Sequence, residues 1–207
     1  MSAIFPIPTL NGKTVALAPL SLSHVDALVE AANEDRSTYG FTEVPKSRAE
    51  MYEYVANLLE QHQHGLTIPF AQIDASTGSA IGATRYLTIR CEADRPFPFA
   101  VEIGGTWLGP SSQRTRVNSE AKLLLLEYAF STWHVVRVDF KTDARNERSR
   151  SAIQRLGAVY EGVLRKSQAS MVPGEESLFR DSAYFSILDT EWPSVQVELT
   201  SRVNRRR

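Results

Sequence analysis

The hydrophobic positions of the chain follow two periods, and each period predicts one kind of element. Alternating apolar and polar residues, the pattern of a half-buried strand, recur in short stretches along the sequence. Apolar residues at helical spacing predict a long helix whose stripe is formed by Ala121, Leu124, Leu125 and Tyr128. The alternation predicts strands at 14–19, 68–73, 81–90, 100–108, 136–140, 158–163 and 181–187.

Capping residues predict four further helices. Each is expected to begin after a polar residue whose side-chain oxygen can accept a bond from a first-turn N–H group. The predicted caps and ends are Ser23 to Asn33, Ser47 to Gly65, Asn146 to Gly157, and a last helix after Thr190. A loop is expected at 165–180. The order of these elements, with helices placed between strands, predicts a mixed sheet with helices on its faces.

Composition narrows the class of protein. The chain has 207 residues, 43% of them hydrophobic and 23% charged, which fits one domain with a real core. Its net charge of −1 gives no overall field for nucleic acid or an anionic membrane. No metal-ligand spacing is present, and no apolar run approaches the ~20 residues of a membrane span. We therefore expect a cytoplasmic protein that acts without metal, membrane or nucleic acid.

Two polar segments stand at predicted helix starts. The segment 113–118 precedes the long helix and contains two arginines, and the segment 142–149 contains Asn146 and Ser149. Free N–H groups at the start of a helix can bind phosphate. The pattern therefore predicts an anionic cofactor with a reaction beside it.

The block around these segments resembles the GNAT superfamily of acetyl-CoA-dependent N-acetyltransferases, and within it the RimJ/RimL-like branch. The matching stretches are EIGGTWLGPSSQ, the loop 113–118, NSEAKLLLLEYAF and TDARNERSRSAIQRLGA. The resemblance runs from about Thr14 to Trp192. It implies an α/β (α+β) fold with a mixed, mostly antiparallel sheet of six to seven strands, flanked by helices on both faces. It also implies a single domain over 1–207, with its core at about 14–192; we expect 200–207 to be a flexible tail.

The resemblance implies that acetyl-CoA is the co-substrate. The backbone at Thr106, Trp107 and Leu108 would pair with the pantetheine amides, and Asn146 would lie near the pantetheine arm. The pyrophosphate would lie on Gln113, Arg114, Thr115, Arg116, Val117 and Asn118. In the family pattern small residues stand where this chain has Arg116 and Asn118. Either the two arginines supply charged contacts to the phosphates, or the loop is distorted and coenzyme binding is weakened. Without the resemblance, a solvated basic turn would be the preferred interpretation.

Two residues are the candidate catalysts. Glu102, on the central predicted strand, could take a proton from the attacking amine, although an ion pair with Arg85 or Lys141 is the structural alternative. Many GNAT enzymes place a tyrosine where this chain has Ile153. Ser149 stands at a position that resembles that of a serine in the RimL-like branch, and its hydroxyl could hydrogen-bond the departing sulfur. The structural alternative is that a small residue is needed here for tight packing of the helix on the sheet.

Three residues are predicted to line the acceptor pocket: Tyr39, Phe41 and Arg85. The two aromatic rings could equally belong to the core. The predicted function is transfer of an acetyl group to a primary amine, on a protein N-terminus or a small molecule, by direct attack in a ternary complex. The alternative is a GNAT-fold binding module whose catalytic site has decayed. A homodimer through the C-terminal strands or helix is also expected.

Overall fold

Eight strands form a mixed sheet in the computed structural model, which describes residue 5 and residues 8–205. The strand order is β1-β2-β3-β4-β5-β6-β8-β7. The strands are β1 Leu10–Asn11, β2 Val15–Pro19, β3 Thr67–Asp74, β4 Ala80–Arg90, β5 Ala100–Leu108, β6 Arg137–Asp143, β7 Val159–Ala169 and β8 Phe179–Leu188. β5 and β6 pair in parallel, whereas β1–β2, β2–β3, β3–β4, β6–β8 and β7–β8 are antiparallel. The predicted fold class is confirmed, with one strand more than expected.

Five α-helices complete the described part of the chain. They are α1 Val25–Asn33, α2 Arg48–Gln63, α3 Val117–Ser131, α4 Glu147–Gln154 and α5 Trp192–Asn204. Ser47 caps α2 as predicted, because its Oγ accepts from the N–H of Glu50 at 3.2 Å. Gly65, just beyond α2, has φ +68°, the left-handed conformation that ends many helices.

The first compact unit contains the described residues up to Thr38, together with Val44–Ile89 and Ile103–Leu125. Alternate residues of its strands point into an apolar core, where Phe70 and Tyr86 meet edge to face with centroids 5.9 Å apart. The Tyr86 hydroxyl donates to the carbonyl of Leu125 at 2.5 Å and so fixes α3 to β4. Its fully buried side chains include Leu17, Leu28, Met51, Ile68, Phe70, Tyr86 and Leu125.

A buried carboxylate holds the first turn of α3 in this unit. Glu120 is 4% exposed and accepts from the backbone N–H groups of Lys13 and Thr14, both at 2.7 Å. The Thr14 hydroxyl donates to the same carboxylate. Gly12 leaves room for it, because a Cβ there would come within 2.8 Å of Glu120 Cδ. The start of α3 is therefore tied to the turn between β1 and β2.

The second compact unit contains Tyr39–Glu43, Arg90–Glu102 and the described residues from Leu126 onward. One face of its strands is apolar and buried, with Phe140 opposite Phe185 and Val138 opposite Ile187 across the β6–β8 pair. Phe130 of α3 stacks on Trp192 of α5, with centroids 5.2 Å apart. This unit thus has an apolar face, and the other face of the same strands carries polar residues.

Several sequence predictions of element ends were wrong. Ser21 rather than Ser23 precedes the first helical turn, where its N–H donates to Nδ1 of His24 at 3.1 Å. Glu191 rather than Thr190 occupies the N-cap position of α5, and its side chain makes no capping hydrogen bond there. β7 and β8 extend into the segment 165–180, because a long exposed hairpin replaces the predicted loop.

The buried face of α3 also differs from the predicted stripe. Residues 117, 120, 121, 122, 125, 126, 129 and 130 are buried, whereas Leu124 and Tyr128 are only half-buried. Val136, predicted within a strand, precedes β6 and is 41% exposed. α5 continues to Asn204 with Val203 buried, so 200–204 are helical where a tail was predicted. Residues 206 and 207 of that tail lie outside the described residues.

Candidate active site

The loop that precedes α3 is held by hydrogen bonds within the first unit. After β5, Pro110–Ser112 form a single 3-10 turn. The Glu34 carboxylate accepts from the N–H of Ser111 at 2.8 Å and from its hydroxyl at 3.0 Å. The Thr115 hydroxyl donates to the carbonyl of Ser112 at 2.7 Å and accepts from the N–H of Val117 at 3.2 Å. Hydrogen bonds within the protein therefore fix the conformation of this loop.

The backbone strain in this loop lies at Arg114. Its φ is +59°, a left-handed conformation that is costly for a residue with a Cβ. Arg116 and Asn118, which replace the small residues of the family pattern, are not in the left-handed region. A side chain at position 116 is thus compatible with this backbone, which removes the geometric reason to expect a distorted loop.

The start of α3 offers hydrogen-bond donors together with positive charge. In the described chain, the N–H groups of Asn118 and Ser119 have no protein acceptor, as is usual for a first helical turn. Two arginines precede this turn in the sequence: Arg114 is exposed and Arg116 is half-buried. The combination is suited to an anion.

Gln113 has a structural task. Its Nε2 donates to the carbonyl of Leu108 at 2.9 Å and to the hydroxyl of Thr38 at 3.1 Å, which ties the loop to the end of β5. Trp107 is 5% exposed, and its carbonyl accepts from Nε2 of Gln72 at 3.1 Å. Trp107 and Leu108 are therefore fixed by contacts with their own unit.

A buried lysine that the sequence analysis did not single out lies beside Thr106. Lys122 of α3 is 5% exposed, and its ammonium donates to the hydroxyls of Thr84, at 3.0 Å, and Thr106. The two hydroxyls lie 2.8 Å apart. No carboxylate lies within 4.0 Å of this ammonium in the described residues. Burial lowers the pKa of Lys122 to about 7.

Arg85 covers an irregularity in β5. Gly105 has φ +57°, and a Cβ there would come within 2.6 Å of Nε of Arg85. The strand can therefore bend at Gly105 with the guanidinium lying directly on its backbone. Arg85 belongs to the first unit, as do the loop residues and Thr106.

Glu102 lies in the second unit and forms an ion pair. It is 3% exposed, and its Oε2 is 3.0 Å from Nζ of Lys141. The sequence suggested Arg85 or Lys141 as the partner of Glu102, and the structure shows the ion pair with Lys141. Removal of either member would leave a buried charge without this partner, which is costly.

Asn146 and Ser149 open α4 as predicted. Oδ1 of Asn146 accepts from the N–H of Ser149 at 3.0 Å, which confirms the helix cap. Ser149 is half-buried, and its hydroxyl has no hydrogen-bond partner in the described chain. Ile153, one turn later, is 8% exposed. The hydroxyl is therefore available to a ligand, on the helix face that also carries the buried Ile153.

Arg145 connects three segments of the second unit. Its guanidinium donates to Asp143 at 2.8 Å and to both carboxylate oxygens of Glu175, at 2.8 and 2.9 Å. It also lies over the ring of Phe41, 5.7 Å from the centroid. These bonds lower the pKa of Asp143, and they lower the pKa of Glu175 to about 2. Tyr39 is 7% exposed, which favours a core role for its ring.

Sequence reasoning missed Lys122 and Arg145. Lys122 precedes the buried residues 125, 126, 129 and 130 by three, four, seven and eight positions, which places it on the same helix face. That spacing was a detectable signal of its burial. Arg145 directly precedes the cap Asn146, but its partner Glu175 lies in the hairpin tip thirty positions on. Long-range pairing of that kind has no signal in a single sequence.

The described residues contain no group of three or more His, Cys, Asp and Glu side chains that could hold a metal ion. Among the helices described, none is both long and apolar enough to cross a membrane.

Comparison with known families decides the class of protein. A family profile described as an acetyltransferase (GNAT) domain matches residues 14–159. The chain belongs to the GNAT acetyltransferase family. This confirms the resemblance seen in the sequence and makes the chain an N-acetyltransferase. No curated protein matches the chain.

Solved structures give the same fold. A GCN5-related N-acetyltransferase from Brucella melitensis is 28% identical, with a TM-score of 0.82, and the match covers 97% of this chain and 87% of that one. Mycobacterium smegmatis RimJ, solved with CoA-disulfide, is 20% identical with a TM-score of 0.75 over 91% of this chain and 88% of that one. A ribosomal-protein-S5-alanine acetyltransferase from Vibrio fischeri is 19% identical with a TM-score of 0.68, over 90% and 99%. The last two likenesses show the fold alone.

Proposed function

We propose that this acetyltransferase uses acetyl-CoA and transfers the acetyl group to a primary amine by direct attack. The observation that carries the proposal is the start of α3, where two unpartnered N–H groups follow two arginines. A diphosphate needs such donors and charges. The CoA-disulfide bound to M. smegmatis RimJ supports coenzyme A as the ligand of this fold.

In the proposed reaction the neutral amine attacks the thioester carbonyl. The N–C bond forms, the C–S bond breaks, and the electron pair of that bond leaves with the sulfur. Glu102 takes the proton that the nitrogen loses, directly or through a water, and the Ser149 hydroxyl donates a hydrogen bond to the departing thiolate. Backbone N–H groups near Trp107 and Leu108 polarise the carbonyl. Thr106 and Asn146 contact the pantetheine, and Phe41 and Arg85 contact the acceptor.

Coenzyme binding is tested by calorimetric titration with acetyl-CoA. The parent should bind, and Arg116→Ala should bind about tenfold more weakly, because one charge-assisted phosphate contact is lost. Arg155, an exposed arginine at the end of α4, gives the matched control Arg155→Ala, which should bind like the parent. Absence of binding by the parent, with binding gained by Arg116→Gly, would contradict the phosphate role of the arginine.

The role of Glu102 is tested against its own ion pair. Glu102→Gln removes the carboxylate and with it the ion pair. Lys141→Met also breaks the ion pair but leaves the Glu102 carboxylate in place. If Glu102 is the base, Glu102→Gln should lower kcat by about 100-fold or more, and Lys141→Met should lower it much less. Equal losses in both variants would mean that the ion pair, not proton transfer, is what activity needs.

The homodimer and the cytoplasmic location stay predictions. β7 lies at the end of the strand order and exposes several apolar side chains, which supports a contact at the C-terminal strands: Val159, Tyr160, Val163 and Leu164. Light scattering during size-exclusion chromatography would measure the mass, and a monomer at all concentrations would contradict the dimer.

A further inference from the structure

The strands of the second unit carry a polar face opposite their apolar one. Lys141 lies opposite Tyr184 and Asp143 opposite Ser182 in the β6–β8 register, and Glu102 lies opposite Asp139 in the β5–β6 register. Directly paired residues share a face, and so do residues two apart on a strand. We define the polar face by the residues Glu102, Lys141, Asp143, Arg180, Ser182 and Tyr184.

The carboxylates of the polar face are already paired with cations. Glu102 pairs with Lys141 at 3.0 Å, and Asp143 pairs with Arg145 at 2.8 Å. Arg145 is further held by Glu175. Each of these charges is therefore already balanced by an opposite charge within the protein.

Arg180 is different from the other cations here. Its side chain is half-buried, and within the described chain no carboxylate lies within 4.0 Å of it. One terminal nitrogen donates to Oε1 of Gln168 at 2.9 Å. Its Nε is buried and has no acceptor. Burial lowers the pKa of Arg180, against the opposing effect of the Asp143 and Glu102 charges.

A buried guanidinium donor without a partner is costly and unusual in a native structure. Arginine presents its donors in a planar fork that fits a carboxylate with two parallel bonds. The neighbouring carboxylates pair with Lys141 and Arg145, which leaves the guanidinium of Arg180 without an anionic partner in the described chain. Glu102, the proposed base, belongs to the same polar face.

We propose that Arg180 binds a carboxylate of the acceptor, so that the acceptor is a small amine with a free carboxylate, such as an amino acid, rather than a protein N-terminus. A protein N-terminus has a peptide carbonyl where a free amino acid has its charged carboxylate. The inference rests on the proposed function, since it concerns the acceptor of the same reaction.

The test compares each common L-amino acid with its own amide as acceptor, by release of CoA from acetyl-CoA. The two acceptors of a pair share their side chain and differ in the carboxylate, whose loss also lowers the pKa of the α-amine and so favours the amide as nucleophile. The best acid should have a kcat/KM about tenfold or more above its amide, as expected for a charge-assisted contact. Arg180→Gln should remove the preference for the acid over the amide. The same variant should change kcat/KM for the amide less than about threefold. Arg155→Gln, a loss of charge outside the polar face, should keep the preference.

Arg180→Lys adds a second variant, because it keeps the charge but not the fork, and it should retain part of the preference. Equal use of acid and amide by the parent, or equal losses for both in Arg180→Gln, would overturn the inference. So would use of amides or peptides alone, although acetyl transfer itself would then stand. Absence of turnover with every acceptor would overturn the inference. If acetyl-CoA also failed to bind in calorimetry, the proposed function would fail with it.

Discussion

The substitution Lys122→Met removes a buried charge that has no carboxylate beside it. Lys122 is 5% exposed, and the described hydrogen bonds of its ammonium go to the Thr84 and Thr106 hydroxyls. Methionine is of similar length, apolar and adaptable. The two threonine hydroxyls, 2.8 Å apart, can then bond to each other. We expect the variant to be more stable than the parent at neutral pH.

The size of the gain in stability follows from the pKa of Lys122, which burial lowers to about 7. An exposed lysine has a pKa of about 10.4, and each unit of difference corresponds to about 1.36 kcal/mol. Keeping this group in the fold therefore costs about 4 kcal/mol at pH 7. The two hydrogen bonds offset about 1 kcal/mol each. Lys122→Met should thus gain about 2 kcal/mol in the free energy of unfolding at pH 7.

The advantage should depend on pH in a defined direction. Between pH 7 and about pH 10 the unfolded chain binds a proton that the folded chain has lost, so the stability of the parent rises with pH. Below pH 7 both states are protonated and the cost of burial is fully present. From pH 7 to pH 9 the parent should gain about 2 kcal/mol that the variant does not, so the difference should vanish near pH 9.

Urea unfolding followed by tryptophan fluorescence at pH 7, 8 and 9 measures this difference. Lys46→Met is the matched control, because Lys46 is exposed and its loss should change stability by less than about 0.5 kcal/mol. The reasoning is refuted if Lys122→Met is less stable than the parent at pH 7. It is also refuted if the difference between the two proteins does not change with pH.

Four further substitutions should change stability, each measured by urea unfolding. Glu120→Ala leaves the N–H groups of Lys13 and Thr14 without their acceptor and should cost about 1 to 3 kcal/mol; a cost below about 0.5 would contradict the anchoring role. Arg114→Gly should stabilise by about 1 kcal/mol because φ is +59°, whereas Arg116→Gly should destabilise by up to about 1, and the opposite order would disprove the assignment of strain. Asn146→Ala should cost about 1 kcal/mol through loss of the α4 cap, and an unchanged midpoint would argue against that cap.

The regular elements of this fold could be predicted because their signals are local. The alternation at 100–108 gives β5 with both ends correct, and the caps Ser47 and Asn146 lie where the sequence placed them. The predicted strands β7 and β8 are too short, because polar residues such as Gln168 and Arg180 are typical of a loop. In the structure these two residues pair across the two strands. Cross-strand pairs are a tertiary property.

The candidate site was predictable to the extent that a motif marks it. Gln113, Asn146 and Ser149 are candidates from the family pattern, and the structure gives the first two structural tasks; their roles toward coenzyme and leaving group stay predictions. Arg180 and Lys122 were missed because neither belongs to a motif. The helical spacing of Lys122 indicates its burial, but only the packed structure shows that neither side chain has a carboxylate partner among the described residues.

The central claim is acetyl transfer from acetyl-CoA to an amine, and its most direct test is detection of the product. The purified protein would be incubated with acetyl-CoA labelled in the acetyl group and the panel of amino acids, amides and peptides, and the products would be identified by mass spectrometry. The account predicts a labelled N-acetyl product in an amount equal to the CoA released, formed at least about tenfold more slowly by Ser149→Ala. Release of CoA without any acetylated amine, or no reaction at all, would contradict it.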